Sequence, residues 1–196
     1  MVCRLTSLFC LASLLLTSLA HADLPGNLTE RDVRILQSLS LSALGPVPAS
    51  PSNRVADDDR AVKMGRALFF DTALSIDGSL SCASCHQPER AFTDGKPLAE
   101  GVAKTARNTP TLYGVAYLDW LYWDGRRDSL WSQALIPFEA PSEMGGSRLA
   151  VVRRVLTDPG YQKDYRALFG ASPKLDWSSL PDQATPFGDT SLESAW

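Results

Sequence analysis

The sequence predicts an all-α fold with long loops, and three observations carry that reading. Apolar residues recur at helical spacing in several short segments. No run alternates apolar and polar residues as a half-buried strand would. Between the helical segments, 13 prolines and 13 glycines punctuate the 196 residues, so the connections are long. No internal repeat is present. At 44% hydrophobic residues the chain can bury one sizeable core. A formal net charge of −3 with 21% charged residues excludes disordered and collagen-like chains and argues against nucleic acid as a partner.

Residues 1–22 read as a secretory signal peptide. Arg4 precedes an apolar run from Leu5 to Leu19, and Ala20-His21-Ala22 supplies a small-residue cleavage site. The run is shorter than the roughly 20 residues of a spanning helix, so no membrane association is expected after cleavage. Cleavage removes Cys3, Cys10 and His21 and leaves Cys82, Cys85 and His86.

Residues 23–59 form an N-terminal helix and a linker. Thr29 caps the helix, Asp32 completes a capping box, Leu28 and Val33 can form a staple, and the helix runs to about Leu41. Pro46, Pro48 and Pro51 make Gly45–Asn53 an extended linker. The main domain spans 60–170. Asp57–Asp59 place negative charge at the start of a helix over Arg60–Phe70. Its apolar residues occupy two faces, Val62/Gly65/Phe69 and Met64/Leu68, which predicts burial on more than one side, with Gly65 admitting a close neighbour. Asp77-Gly78 signals a turn. Gln87–Thr111 is loop, followed by an aromatic stretch holding Tyr113, Tyr117, Trp120, Tyr122 and Trp123. A helix starts at Asp128 or Ser129 and reaches Leu135, limited by Pro137. Ser142–Gly146 is a second loop. Leu149, Val152, Val155 and Leu156 mark one amphipathic helix, and Tyr161–Phe169 another, ending at Gly170. Residues 171–196 are polar and begin a connecting segment.

The chemistry concentrates at Cys82-Ala-Ser-Cys85-His86, a C-x-x-C-H motif. Two thiols three residues apart on a turn can add across the two vinyl groups of haem, and the next residue then offers an imidazole to the iron. This is the attachment signature of haem c, and an export signal agrees with it. A thioredoxin-type C-x-x-C needs a βαβ setting, which is missing, and a structural zinc site needs about four Cys or His ligands, more than remain. His86 is thereby the axial ligand. With no second histidine after cleavage, Met64, Met144, Lys, Tyr, water or an open position remain for the other iron face. Met64 lies on an apolar helix face suited to the core; Met144, in a loop, suits an axial methionine.

Further blocks accompany the motif in a fixed order. They are Met64-Gly-Arg-Ala-Leu-Phe-Phe-Asp71, Leu74-Ser75, Ala91-Phe-Thr-Asp-Gly95, Arg107-Asn-Thr-Pro110, Trp123-Asp-Gly-Arg126, Ser129-Leu130, Gln133 and Glu143-Met-Gly145. From about Met64 to Gly170 the chain thereby resembles the bacterial dihaem cytochrome c peroxidase family, which includes the MauG-like proteins. The resemblance implies a cytochrome-c-like haem domain, here the N-terminal, peroxidatic one. It also implies a second haem domain for electron entry. One C-x-x-C-H and an end at Trp196 give the expectation of a truncated chain, with Leu180–Trp196 resembling the interdomain connection.

By the same resemblance, Glu143 is the distal acid–base carboxylate, Gln133 the amide beside it, and Trp123 the relay between haems. Asn108 is a side-chain ligand of an interdomain calcium. On composition alone each has a plainer reading: a solvated loop Glu, a surface Gln, a core Trp. Many family members carry a distal histidine in the loop after the haem motif. Gln87–Thr111 has none, so an open or water-bound iron that meets peroxide without prior reduction is expected. The implied function is reduction of hydrogen peroxide to water in the periplasm, with electrons from a cytochrome c or cupredoxin. The alternatives are a monohaem electron carrier with His86/Met144 ligation, a MauG-like protein-modifying oxidase fragment, and a remnant that never acquires stable haem.

Overall fold

The computed structural model describes residues 28–180. The chain divides into two compact units, Met1–Pro46 and Val47–Trp196. The signal segment lies outside the described residues, as does most of the connection expected after Leu180.

In the first unit, helix α1 spans Glu30–Ser38. Its capping box is present: Asp32 N–H donates to Thr29 Oγ1, and Thr29 N–H to Asp32 Oδ2 at 2.8 Å. The helix stops short of the expected Leu41. Ser38 and Ser40 hydroxyls each donate back to the carbonyl three residues earlier, at 2.7 Å, and such local bonds compete with helix propagation. A 3-10 turn over Leu41–Ala43 follows. Leu28 and Val33 remain 42% and 36% exposed, so the staple buries little.

The second unit is built on three helices: α2 (Asp59–Phe70), α6 (Arg148–Thr157) and α7 (Pro159–Phe169). Between α2 and α6 lie three short helices, α3 (Cys82–Cys85), α4 (Leu130–Ala134) and α5 (Ile136–Glu139). Among the described residues the only β pairings are isolated bridges, such as Gln87 with Thr93 and Leu121 with Arg127.

Met64, Val155 and Leu156 form the buried core, with Leu68, Tyr161, Tyr165 and Leu168 packed around them. Leu175 and Trp177 also pack there, so the chain stays on this core beyond the expected edge at 170. Burial at these positions stabilises by about 1.5–3 kcal/mol per large side chain.

Polar pairs fix the helix ends. Asp71, just past α2, accepts from Arg154 Nε on α6 and from Tyr161 Oη on α7, each at 3.0 Å. At the other end of α2, Arg60 Nη1 donates to the Ala167 carbonyl at 2.8 Å. The start of α2 thus meets the end of α7 and its end meets the start of α7, so the two run antiparallel. Burial alone would raise the Asp71 carboxyl. The bonds from Arg154, Ala73 N–H and Tyr161 outweigh it and hold the group below 3.8. Burial and that bond to Asp71 push the Tyr161 phenol up to about 12.

One expectation about helices is corrected and another is extended. Val62 is 61% exposed and a Cβ on Gly65 would meet nothing within 4 Å, so α2 buries its Met64/Leu68 face but not Val62 and Gly65. Phe69 alone reaches across, edge-on to Phe92 at 6.3 Å. Pro137 limits α4 as expected, and a further short helix begins on it. Pro137 lacks an N–H for the Gln133 carbonyl, so α4 closes at Ala134, and the proline then sits in the first turn of α5, where no donor is needed.

Candidate functional site

The site is made of loops hung on this scaffold. Ser81 caps α3, whose single turn carries Cys82 and Cys85, and His86 closes it with its N–H donating to the Cys82 carbonyl at 2.8 Å. One helical turn brings the two sulfurs and the imidazole to one side of the chain. Both cysteines are free thiols, half-buried. Burial pushes both thiols above their ordinary range, reinforced at Cys85 by the Asp94 charge. They are therefore neutral at pH 7.

His86 Nδ1 lies 3.1 Å from the Phe92 carbonyl oxygen. A carbonyl only accepts, so Nδ1 carries the proton and Nε2 is left as the donor to a metal. Holding the far ring nitrogen on a carbonyl is the usual way of orienting a histidine ligand. The donor set of two free thiols and an oriented imidazole fits haem c. Thr109 adds to the fit: its hydroxyl is buried with no hydrogen-bond partner of good geometry, and it lies close enough to Cys85 to favour the thiolate.

The second wall is the loop after α5. Glu143 N–H bonds the Ala140 carbonyl, and the Glu143 carbonyl accepts from Val102 N–H at 2.8 Å. Ser142 carbonyl accepts from Ala103 N–H, and Met144 carbonyl from Ile76 N–H at 2.9 Å. The loop is therefore clamped between residues 74–76 and 101–103. Gly101 makes this possible, because a Cβ there would stand 2.3 Å from the Ser142 oxygen and 2.5 Å from the Glu143 oxygen. Gly145, at φ +64°, turns the chain back. Burial pushes the Glu143 carboxyl above its usual 4.5, while His86 and Arg126 pull the other way. A half-buried carboxyl whose pKa is raised by burial holds its proton more readily than a solvated one, which is what an acid–base group needs.

Gln133 is half-buried on α4, its Nε2 donating to Tyr122 Oη at 3.4 Å. Tyr122 holds φ +68° without being glycine, and the Arg126 guanidinium stacks 3.5 Å from its ring centre. Tyr122 thus links Gln133 to Arg126, and Arg126 acts on Glu143. Gln133 is thus connected to Glu143 only indirectly, through Tyr122 and the charge of Arg126.

Other predicted residues lie elsewhere. Trp123 is 90% exposed, so it is neither core nor packed in this site. Met144 is buried at 5% exposure. Asn108 is exposed, with its amide nitrogen 3.4 Å from the Thr109 carbonyl. Calcium takes 6–8 oxygens, and among the described residues no group of three or more His, Cys, Asp or Glu could hold a metal ion. The sequence reading missed Tyr122, Gly101, Thr109 and the Phe92 carbonyl as parts of the site. Phe92 and Thr109 lie in motif blocks that carry the resemblance, and Gly101 is a glycine in a loop, but nothing in a sequence marks a tyrosine or phenylalanine for positive φ.

The sequence model of the family described as Di-haem cytochrome c peroxidase matches residues 59–187, more than half the chain. The chain is 43% identical over 116 residues to the methylamine utilization protein MauG of Methylorubrum extorquens, covering 58% of this chain and 33% of that protein. It is 35% identical over 142 residues to the cytochrome-c peroxidase IdrP1 of Denitromonas iodatirespirans, covering 71% and 36%. Among solved structures, a MauG-like protein associated with microbial copper homeostasis aligns with a TM-score of 0.59 at 34% identity, covering 67% of this chain and 39% of that one. The diheme peroxidase BthA of Burkholderia thailandensis aligns with a TM-score of 0.53 at 31% identity, covering 63% and 36%. The chain spans about a third of the length of the curated relatives it matches. The structural likeness agrees with the all-α, cytochrome-c-like fold expected from the sequence.

Proposed function

The chain belongs to the di-haem cytochrome c peroxidase family, and from that premise we propose that it forms a peroxidatic haem site. The observation that carries the proposal is the pairing of two features. An imidazole is held by its far nitrogen for iron, and a half-buried carboxyl of raised pKa lies in its field.

When bound through Cys82 and Cys85, haem supplies an iron centre that accepts peroxide and delivers the electrons that break the O–O bond. The protein's own residues do the rest. His86 donates Nε2 to the metal and keeps its orientation through Phe92. Glu143 takes the proton from one peroxide oxygen and returns it to the other, which leaves as water. Gln133, held by Tyr122, hydrogen-bonds in the same space. Reduction to two waters consumes two electrons and two protons, with a cytochrome c or cupredoxin as the electron source. The exposed Trp123 is assigned to receive electrons from a second haem domain. Export to the periplasm through cleavage after Ala22 completes the reading. Among the described residues no helix is long and apolar enough to cross a membrane.

The similarity to MauG proteins favours a second reading, in which the same site oxidises a partner protein. Both need an open iron face, and no second histidine stands after Ala22 to close it. The test is the absorption spectrum of the haem-loaded ferric protein before and after peroxide. A high-spin spectrum altered by peroxide supports the site. A low-spin spectrum with a methionine–iron band, unmoved by peroxide, would instead make the chain a His86/Met144 electron carrier.

A further inference from the structure

The Phe92 carbonyl that orients His86 sits in a backbone conformation that needs outside support. Ala91 and Phe92 are consecutive non-glycine residues with φ of 54° and 58°. A left-handed conformation is strained for an L-residue with a Cβ, so two in a row persist only where neighbours hold them. Part of the hold is local: Phe92 N–H donates to the Gln87 carbonyl at 2.8 Å, and Gln87 bridges Thr93.

The rest comes from a segment some twenty residues on. Thr111 Oγ1 donates to the Ala91 carbonyl at 2.5 Å. The same oxygen accepts from Tyr113 N–H at 3.1 Å, so the hydroxyl is used in both directions. Tyr113 then sets its ring edge-on to Phe92, with centroids 5.5 Å apart at 89°. Phe92 is thus held by its ring from Tyr113, while the preceding peptide is held by Thr111.

We infer that Thr111 is a positioning residue for the axial histidine, acting through the Ala91–Phe92 turn. By fixing the Ala91 carbonyl it keeps the next one, that of Phe92, on His86 Nδ1. A hydrogen bond accepted from Nδ1–H shifts electron density toward Nε2 and makes the imidazole a stronger donor. A stronger axial donor favours ferric over ferrous iron, so this bond sets the reduction potential. The hydroxyl is therefore a tuning element placed outside the site, on the surface. The inference rests on the haem reading proposed above.

The experiment compares the haem-loaded full chain with Thr111→Val, Thr111→Ala and Thr111→Ser. Covalent haem is measured first by the pyridine haemochrome assay. The iron–histidine stretching frequency of the ferrous protein and its midpoint potential are then recorded. In Thr111→Val and Thr111→Ala the stretching frequency falls and the potential shifts upward; Thr111→Ser, which keeps the donor, restores both. A merely structural role would lower the melting temperature and leave the stretching frequency in place. Unchanged frequency and potential in the Val and Ala variants, or a Ser variant that behaves like Val, would overturn the inference while leaving the haem reading standing. An unaltered chain without covalent haem would overturn the haem reading and this inference with it.

Discussion

The helical scaffold and the loop-built site are held by different forces. The scaffold of α2, α6 and α7 buries Met64, Val155 and Leu156 and pins its ends with Asp71, Arg154 and Tyr161. The region between Leu74 and Gly146 is held by backbone bonds between loops and by left-handed turns. Among the described residues, all three non-glycine residues with positive φ fall there, as do five of the six such glycines. Apolar packing gives way gradually when a side chain is trimmed. A clamp of backbone bonds around Gly101 tolerates almost nothing at one point and much elsewhere. The two regions therefore answer to different substitutions and different measurements.

The sharpest separation comes from the two cysteines proposed to attach haem. Replacing Cys82 and Cys85 by Ser abolishes covalent haem in a pyridine haemochrome assay while leaving the helical circular dichroism in place. Loss of the helices together with the haem would show that the scaffold does not stand apart from the site. Next is Glu143→Gln, expected to slow the reaction with peroxide about 10²–10⁴-fold, the usual contribution of a positioned acid–base group. On the scaffold side, Leu156→Ala lowers unfolding stability by about 2–5 kcal/mol in urea titration with the ferric spectrum unchanged. Asp71→Asn costs less, about 1–3 kcal/mol, since it weakens two hydrogen bonds to one carboxylate.

The smallest effects are in pH dependence, and they have opposite signs in the two regions. Asp71 is lowered on folding, so its contribution is present above 3.8 and is lost as pH falls through the folded value. Glu143 is raised, so its contribution is present below 4.5 and is lost as pH rises through the folded value. Urea midpoints measured from acid to neutral pH should show Asp71→Asn losing its deficit in acid. Glu143→Gln should gain on the parent protein as pH rises above 4.5.

The same division decides what could be read from the sequence. Helical periodicity locates α2, α6 and α7 because their apolar residues repeat where packing needs them, and Gly170 marks the end of α7; its start, capped by Asp158 with Pro159 in the first turn, lies two residues before the expected Tyr161. The C-x-x-C-H motif is legible because covalent attachment fixes its spacing. Glu143, Gln133 and Trp123 came only from the resemblance to a family, since an isolated loop Glu looks like any solvated charge. The loop that carries Glu143 is held by segments far from it in sequence, Gly101–Ala103 and Leu74–Ile76. Val62 and Gly65 failed for the converse reason: an apolar face predicts a partner but does not create one.

The central claim is that Glu143 moves the proton at a peroxide-accepting site whose metal ligand is His86. It is tested most directly by stopped-flow absorption of the haem-loaded ferric chain mixed with hydrogen peroxide, comparing the parent protein with Glu143→Gln. The account predicts a rapid spectral change in the parent and one at least about a hundred-fold slower in the variant. Equal rates in the two proteins would contradict it.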